Sequence, residues 1–177
     1  MSHRQPSTPE HLRILISREQ IERRLDELAL QIDDDYAKSE RLVCIGVLKG
    51  SIFFLVDLMK RLHTPAVVDF FQTSSYGSGT KSGELRVRKD VDMSLRGQDV
   101  LLIEDIVDTG YTLRTVLDLL RFRGARSVRL CALLDKKEAR EVEVPIDYCG
   151  FRIANEFVVG YGLDYNERYR NLPYIAV

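Results

Sequence analysis

Apolar positions along this chain alternate between helical and strand spacing. After Ser17, residues Ile21, Leu25, Leu28 and Ile32 form one apolar stripe, and Ser17 with Gln20 has the form of a reciprocal capping box, so the pattern predicts an amphipathic helix with a charged outer face. Residues 41–50 give a continuous apolar run closed by Gly50, as a strand covered on both faces would, and residues 51–62 are long enough for a helix. That is half of a βαβ unit. A second run at 66–72 leads into a polar stretch, 73–84, with three glycines, four serines and no large aliphatic residue, and residues 85–91 then alternate aliphatic with charged side chains. The expectation is two antiparallel strands joined by a flexible lid loop.

Further on, residues 100–103 form an apolar strand core. A helix is expected from about Thr112 to Arg123, with stripe Leu113, Val116, Leu117 and Leu120 and a stop at Gly124, before an apolar strand at 127–135. Strand, helix and strand at this spacing imply parallel pairing through a right-handed crossover. Beyond residue 140 shorter strands are expected around Val142 to Ile153 and Phe157 to Val159, followed by an aromatic, polar tail, which together read as a small irregular hood. No linker or repeat interrupts the pattern, so the expectation is one α/β domain over residues 1–177: a central, mostly parallel sheet flanked by helices, with residues 1–12 disordered. A chain of 177 residues is long enough to bury roughly 70 per cent of the surface its unfolded form exposes.

Charge and cysteine usage narrow the partners. The net charge of -1 and pI near 6.3, with no basic tract, give no field to hold a polyanion, so nucleic acid is not an expected partner. Cys44 and Cys131 lie inside apolar runs and the third cysteine, Cys149, leaves an odd set, which reads as reduced thiols in a cytoplasmic protein. No apolar segment approaches the roughly 20 residues that span a bilayer, and no membrane association is expected.

The chemistry gathers in residues 100–113, VLLIEDIVDTGYTL. Ligands of open parallel sheets sit beyond the carboxyl ends of the strands. With a strand ending at residue 103, Glu104 and Asp105 stand at its exit on opposite faces, and Asp108-Thr109-Gly110-Tyr111-Thr112 forms the turn into the next helix. Successive backbone N–H groups, the helix dipole and threonine hydroxyls there make a phosphate cradle. Neither a P-loop nor a G-x-G-x-x-G dinucleotide turn is present. Two carboxylates beside a phosphate repel it unless they bind sugar hydroxyls or a hard cation, so a phosphorylated sugar with Mg2+ fits. The competing structural reading makes Asp108 a helix cap and Glu104-Asp105 a solvated strand end.

This stretch closely resembles the phosphoribosyl-pyrophosphate signature of type I phosphoribosyltransferases. The likeness extends from about Ile14 to the C-terminus through Leu48-Lys49-Gly50, Ser75-Tyr76, Leu134-Asp135-Lys136 and the tail Phe157 to Arg170. That tail resembles the 6-oxopurine, hypoxanthine-guanine branch rather than enzymes for adenine, orotate or uracil. The resemblance implies the type I phosphoribosyltransferase fold and transfer of phosphoribosyl from phosphoribosyl pyrophosphate to hypoxanthine or guanine, giving IMP or GMP and pyrophosphate. It implies that Asp108 to Thr112, including the backbone N–H of Tyr111, hold the 5'-phosphate, with Ile106 and Val107 completing that loop. Asp108 would also be the general base on N7 of the purine. Glu104 and Asp105 would hold ribose hydroxyls directly or through Mg2+, and Asp164 would hold a second Mg2+. Lys49 and Gly50 would face pyrophosphate through backbone N–H groups, with Arg170 clamping its oxygens. Lys136 would donate to the purine O6, Phe157 would stack on the ring, and the backbone at Val158 and Leu163 or Asp164 would address its C2 edge. Ser75 and Tyr76 would sit in the closing loop. The resemblance further implies a homodimer or homotetramer. Two departures stand out: Tyr111 occupies a position that is lysine in some relatives, and Gly162 replaces an alanine common in the tail.

Overall fold

The protein, a computed structural model, is described at residues 11–75 and 85–177. Of the loop expected at 73–84, residues 73–75 are strand, paired with Val87, Arg86 and Leu85, while residues 76–84, including Tyr76, and residues 1–10 lie outside that description. In chain order the elements are β1 (Ile14–Ile16), α1 (Arg18–Asp35), β2 (Leu42–Val47), α2 (Ile52–Met59), β3 (Ala66–Ser75), β4 (Leu85–Lys89), β5 (Asp99–Val107), α3 (Tyr111–Phe122), β6 (Ser127–Asp135), β7 (Tyr148–Arg152) and β8 (Ile175–Ala176). Six strands form one sheet in the order β4-β3-β2-β5-β6-β7, parallel except where β4 runs antiparallel to β3. β1 and β8 pair separately and bring Ile14–Ile16 against the C-terminal Ile175–Ala176.

The apolar pattern explains the layering. Side chains alternate along a strand, so in β5 Leu101 and Ile103 pack with the α1 and α2 stripe residues Ile21, Leu25, Phe54 and Leu58. Val100 and Leu102 pack on the other face with Leu113, Val116, Leu117 and Leu120 of α3. Helices thus cover both faces of the sheet, and each of these apolar side chains contributes roughly 1.5–3 kcal/mol by leaving water. Ser17 caps α1 with Gln20 as its reciprocal partner, and Gly124, at φ +80°, closes α3 where the chain needs a left-handed residue.

The expectations at 103 and 157 need correction. β5 continues past Ile103, because Glu104, Ile106 and Val107 stay in register with Ala132, Leu134 and Asp135 of β6; the acids therefore lie within the sheet. No strand forms at Phe157 to Val159. Val159 makes a single bridge to Ala176, since positive φ at Gly160, Tyr161 and Gly162 turns the chain away at once. Strand structure in the expected span from Val142 to Ile153 is likewise confined to β7, while the N–H groups of Glu141 and Val142 both go to the carbonyl of Thr109.

Candidate active site

The carboxyl ends of β2, β5 and β6 bring most of the expected site residues together. Asp108, Thr109 and Gly110 join β5 to α3, with Gly110 at φ +94°. The added Cβ of any other residue there would lie 2.4 Å from the Val142 carbonyl oxygen. Among the described residues, the backbone N–H groups of Asp108 through Leu113 have no acceptor. They precede an α-helix whose dipole adds partial positive charge at that end, so the turn presents consecutive donors suited to a phosphate. Asp108 is exposed. Tyr111 directs its hydroxyl away to Glu141, 3.3 Å distant, leaving only its main chain at the turn, and the Glu141 carboxylate raises the phenol's pKa.

Glu104 and Asp105 form the acidic part. Burial first, and then the charge of Asp105, push the Glu104 carboxyl well above the ordinary carboxylate range. Burial also raises Asp105, against the hydrogen bonds it accepts, including that from Ile106 N at 2.7 Å. Among the described residues Glu104 Oε2 is enclosed without a partner. A buried oxygen with no donor is expensive to keep, and one hard oxygen in that condition beside a second carboxylate suits a divalent cation or sugar hydroxyls. The donor chemistry therefore fits Mg2+ at Glu104 and Asp105.

Gly50 closes the space beside this pair. A Cβ at Gly50 would lie 1.6 Å from Asp105 Oδ2, and one at Gly162 would lie 1.9 Å from the Gly50 carbonyl oxygen. Glycine at both positions lets the turn after β2, the acidic strand and the hood stack in direct contact. The Leu48–Lys49 peptide in this turn is cis. Lys49 itself reaches Glu167, Nζ to Oε1 3.0 Å. Arg170 spans the hood, donating to the Gly162 carbonyl at 2.7 Å and pairing with Asp164 at 2.8 Å, while its enclosed Nε has no partner among the described residues. Asp164 also accepts from Glu167 N at 2.8 Å, so both of its oxygens are engaged by this chain.

Lys136 is buried, 7 per cent exposed. Its backbone N–H donates to Val107 O at 3.0 Å, which fixes it beside the cradle. Its ammonium has no acceptor among the described residues and, unlike Glu104 Oε2 and Arg170 Nε, is not fully enclosed, so the stem is packed while the charged tip stays open to a ligand. Its neighbour Lys137 is exposed. Phe157 is 63 per cent exposed and stands edge-on to Tyr165, ring centroids 5.9 Å apart, so it is an open aromatic face rather than core. Val158 and Leu163 are buried. Ser75 ends β3, beyond which the chain is not described.

Residues 15–166 match the phosphoribosyl transferase domain family. The chain belongs to that phosphoribosyltransferase family. It is 46 per cent identical over 169 residues to the hypoxanthine phosphoribosyltransferase of Haemophilus influenzae, covering 94 per cent of each chain. It is 50 per cent identical over 166 residues to the bifunctional protein TilS/HprT of Listeria monocytogenes, covering 93 per cent of this chain but only 26 per cent of that one. The chain thus spans about a quarter of the length of these bifunctional relatives. Among solved structures, the hypoxanthine phosphoribosyl transferase of Trypanosoma cruzi superposes with a TM-score of 0.93 at 40 per cent identity, covering 97 per cent of this chain and 94 per cent of the other.

One residue at this site escapes sequence reasoning. Arg140 Nε donates to Asp108 O at 2.9 Å, and its Nη2 reaches Val107 O at 3.2 Å and Asp135 Oδ1 at 2.5 Å. Its position in the charge-rich segment 136–141 gave it the pattern of a solvated face. Only the approach of that run to β5 in space marks it out.

Proposed function

We propose that this chain is a purine-salvage enzyme that transfers the 5-phosphoribosyl group from phosphoribosyl pyrophosphate to N9 of hypoxanthine, and of guanine, releasing pyrophosphate with IMP or GMP. The carrying observation is the buried Lys136, with no acceptor for its ammonium, fixed beside the cradle that begins at Asp108. A 6-oxo group supplies the missing acceptor. A 6-amino group would set donor against donor, which a buried site penalises heavily.

In this reading the N–H groups of the 108–112 turn hold the 5'-phosphate, and Ile106 and Val107 carry the strand that aims them. Glu104 and Asp105 hold the ribose hydroxyls, directly or with Mg2+, and Asp164 is the proposed ligand of a second ion. Bound Mg2+ would neutralise the carboxylates and the charge developing on pyrophosphate. The bond from the ribose C1' to pyrophosphate breaks as the N9 bond forms, pyrophosphate leaves with the electron pair, and Asp108 accepts the purine proton. Backbone at Lys49 and Gly50, with the fork of Arg170, receives the leaving group. Phe157 stacks on the base, and main-chain groups at Val158, Leu163 and Asp164 meet its C2 edge.

The free thiols of Cys44, Cys131 and Cys149 accord with a proposed cytoplasmic setting. Among the described residues no helix is long and apolar enough to cross a membrane. A homodimer or homotetramer is the proposed assembly, and exposed Ile52, Phe53 and Val56 on α2 offer it an apolar surface.

The test is Lys136→Ala, assayed with hypoxanthine and adenine. The expected result is a loss of roughly 10- to 100-fold in kcat/KM for hypoxanthine, with discrimination against adenine shrinking by a similar factor. Unchanged discrimination would return Lys136 to a purely structural role.

A further inference from the structure

The carbonyls behind the cradle are all held from one side. Val107 O accepts from Lys136 N at 3.0 Å and from Arg140 Nη2. Asp108 O accepts from Arg140 Nε. Thr109 O accepts from Glu141 N and Val142 N, each at 3.0 Å. These peptides are trans, and in a trans peptide the C=O and the following N–H point to opposite sides. Tying the carbonyls of residues 107–109 to the 136–142 segment therefore turns the N–H groups of Asp108, Thr109 and Gly110 the other way. Those are donors without an acceptor among the described residues.

We propose that Arg140 is the positioning residue of the phosphate cradle: its planar fork bridges the Val107 and Asp108 carbonyls to Asp135 and so fixes which way the cradle's N–H groups face. The side chain is well suited to this. It is only 11 per cent exposed, so its hydrogen bonds are little challenged by water. Asp135, 9 per cent exposed, compensates its charge. Arg140 consequently acts through the geometry of the peptides and not as a bare cation near the phosphate. A lysine could keep the ion pair with Asp135 but cannot bridge three acceptors from one rigid plane. This inference rests on the phosphate reading of residues 108–112.

The experiment compares wild type with Arg140→Lys for binding of IMP, which carries the 5'-phosphate, and of pyrophosphate with Mg2+, which the other half of the site takes. Arg140→Lys is expected to weaken IMP at least 10-fold and to raise KM for phosphoribosyl pyrophosphate by a similar factor, with pyrophosphate affinity within 2-fold of wild type. Equal affinity of variant and wild type for IMP would overturn the role of Arg140 while leaving the function intact. A proportional loss for both ligands would make Arg140 general scaffolding and also overturn it. Wild type that binds no IMP would overturn the phosphate reading itself, and the inference with it. Should Arg140→Lys fail to fold, Arg140→Ala with added guanidinium serves instead, since Arg140 lines an open cavity of about 400 Å³ that the small cation can enter. Guanidinium at millimolar concentration is then expected to restore IMP affinity selectively. Its failure to do so in folded protein would count against the proposal.

Discussion

Asp108 is anchored through its main chain, with Arg140 on its carbonyl, while its carboxylate stands at an exposed position next to the cradle. That combination suits a base that must meet a purine and then release its proton. Asp108→Asn keeps the size and the backbone donors but removes the basic oxygen. A fall of roughly 10- to 1000-fold in kcat, with KM for phosphoribosyl pyrophosphate changed little, is the expected outcome in steady-state kinetics. Wild-type turnover would remove Asp108 from that role. At this scale the acids, Lys136 and Phe157 were legible in the sequence because each is a chemical group in a recognisable motif. Arg140 was not, since its significance is a contact with carbonyls some thirty residues earlier, and carbonyls leave no trace in a sequence.

Elements meet in this site through glycine. The turn after β2, the acidic segment of β5 and the hood touch at Gly50 and Gly162, and Gly162 adopts φ +105°. The alanine expected from the resemblance would place a methyl carbon 1.9 Å from the Gly50 carbonyl and strain a left-handed backbone. For Gly162→Ala the expectation is a loss of about 1–3 kcal/mol in stability by denaturant titration and weaker pyrophosphate binding, because the hood carrying Arg170 must lift. A variant of unchanged stability and affinity would contradict that contact. Helices and inner strands followed from periodicity alone: the α1 and α3 stripes are buried as spaced, and β6 spans the expected residues. The end of β5 did not follow. Charge suggested a strand exit at residue 103, whereas pairing with β6 carries the strand to Val107, a tertiary choice that local pattern does not contain. The hood was legible as irregular, but its bridges and positive φ values depend on contacts between distant parts of the tail.

Across the whole molecule, the end of the sheet opposite the site is held by Asp99 at the start of β5. It accepts from Ser39 at 2.7 Å, from Arg126 at 3.0 Å and from Ser127 at 2.7 Å. The Arg126 guanidinium, chiefly, holds its carboxyl far below the ordinary aspartate range, against the effect of burial. A depressed folded-state pKa adds stability that is present above the unfolded-state value and lost as pH falls through the depressed one. Asp99→Asn should therefore cost about 1–3 kcal/mol at pH 7. The gap to wild type should narrow below about pH 4, where the unfolded carboxyl begins to hold its proton. A gap independent of pH in thermal melts from pH 7 to pH 3 would show that the charge at Asp99 is not what ties these strands. With its distant end fixed, the sheet presents the cradle, the acids and Lys136 at the other end as one rigid edge.

The central claim is that this edge joins a phosphoribosyl group to a 6-oxopurine. It is tested most directly by incubating the protein with Mg2+ and phosphoribosyl pyrophosphate and, separately, hypoxanthine, guanine, xanthine, adenine or uracil, and following nucleotide and pyrophosphate formation. The expected result is IMP from hypoxanthine and GMP from guanine, with adenine and uracil left unreacted; absence of product from every 6-oxopurine would contradict that claim.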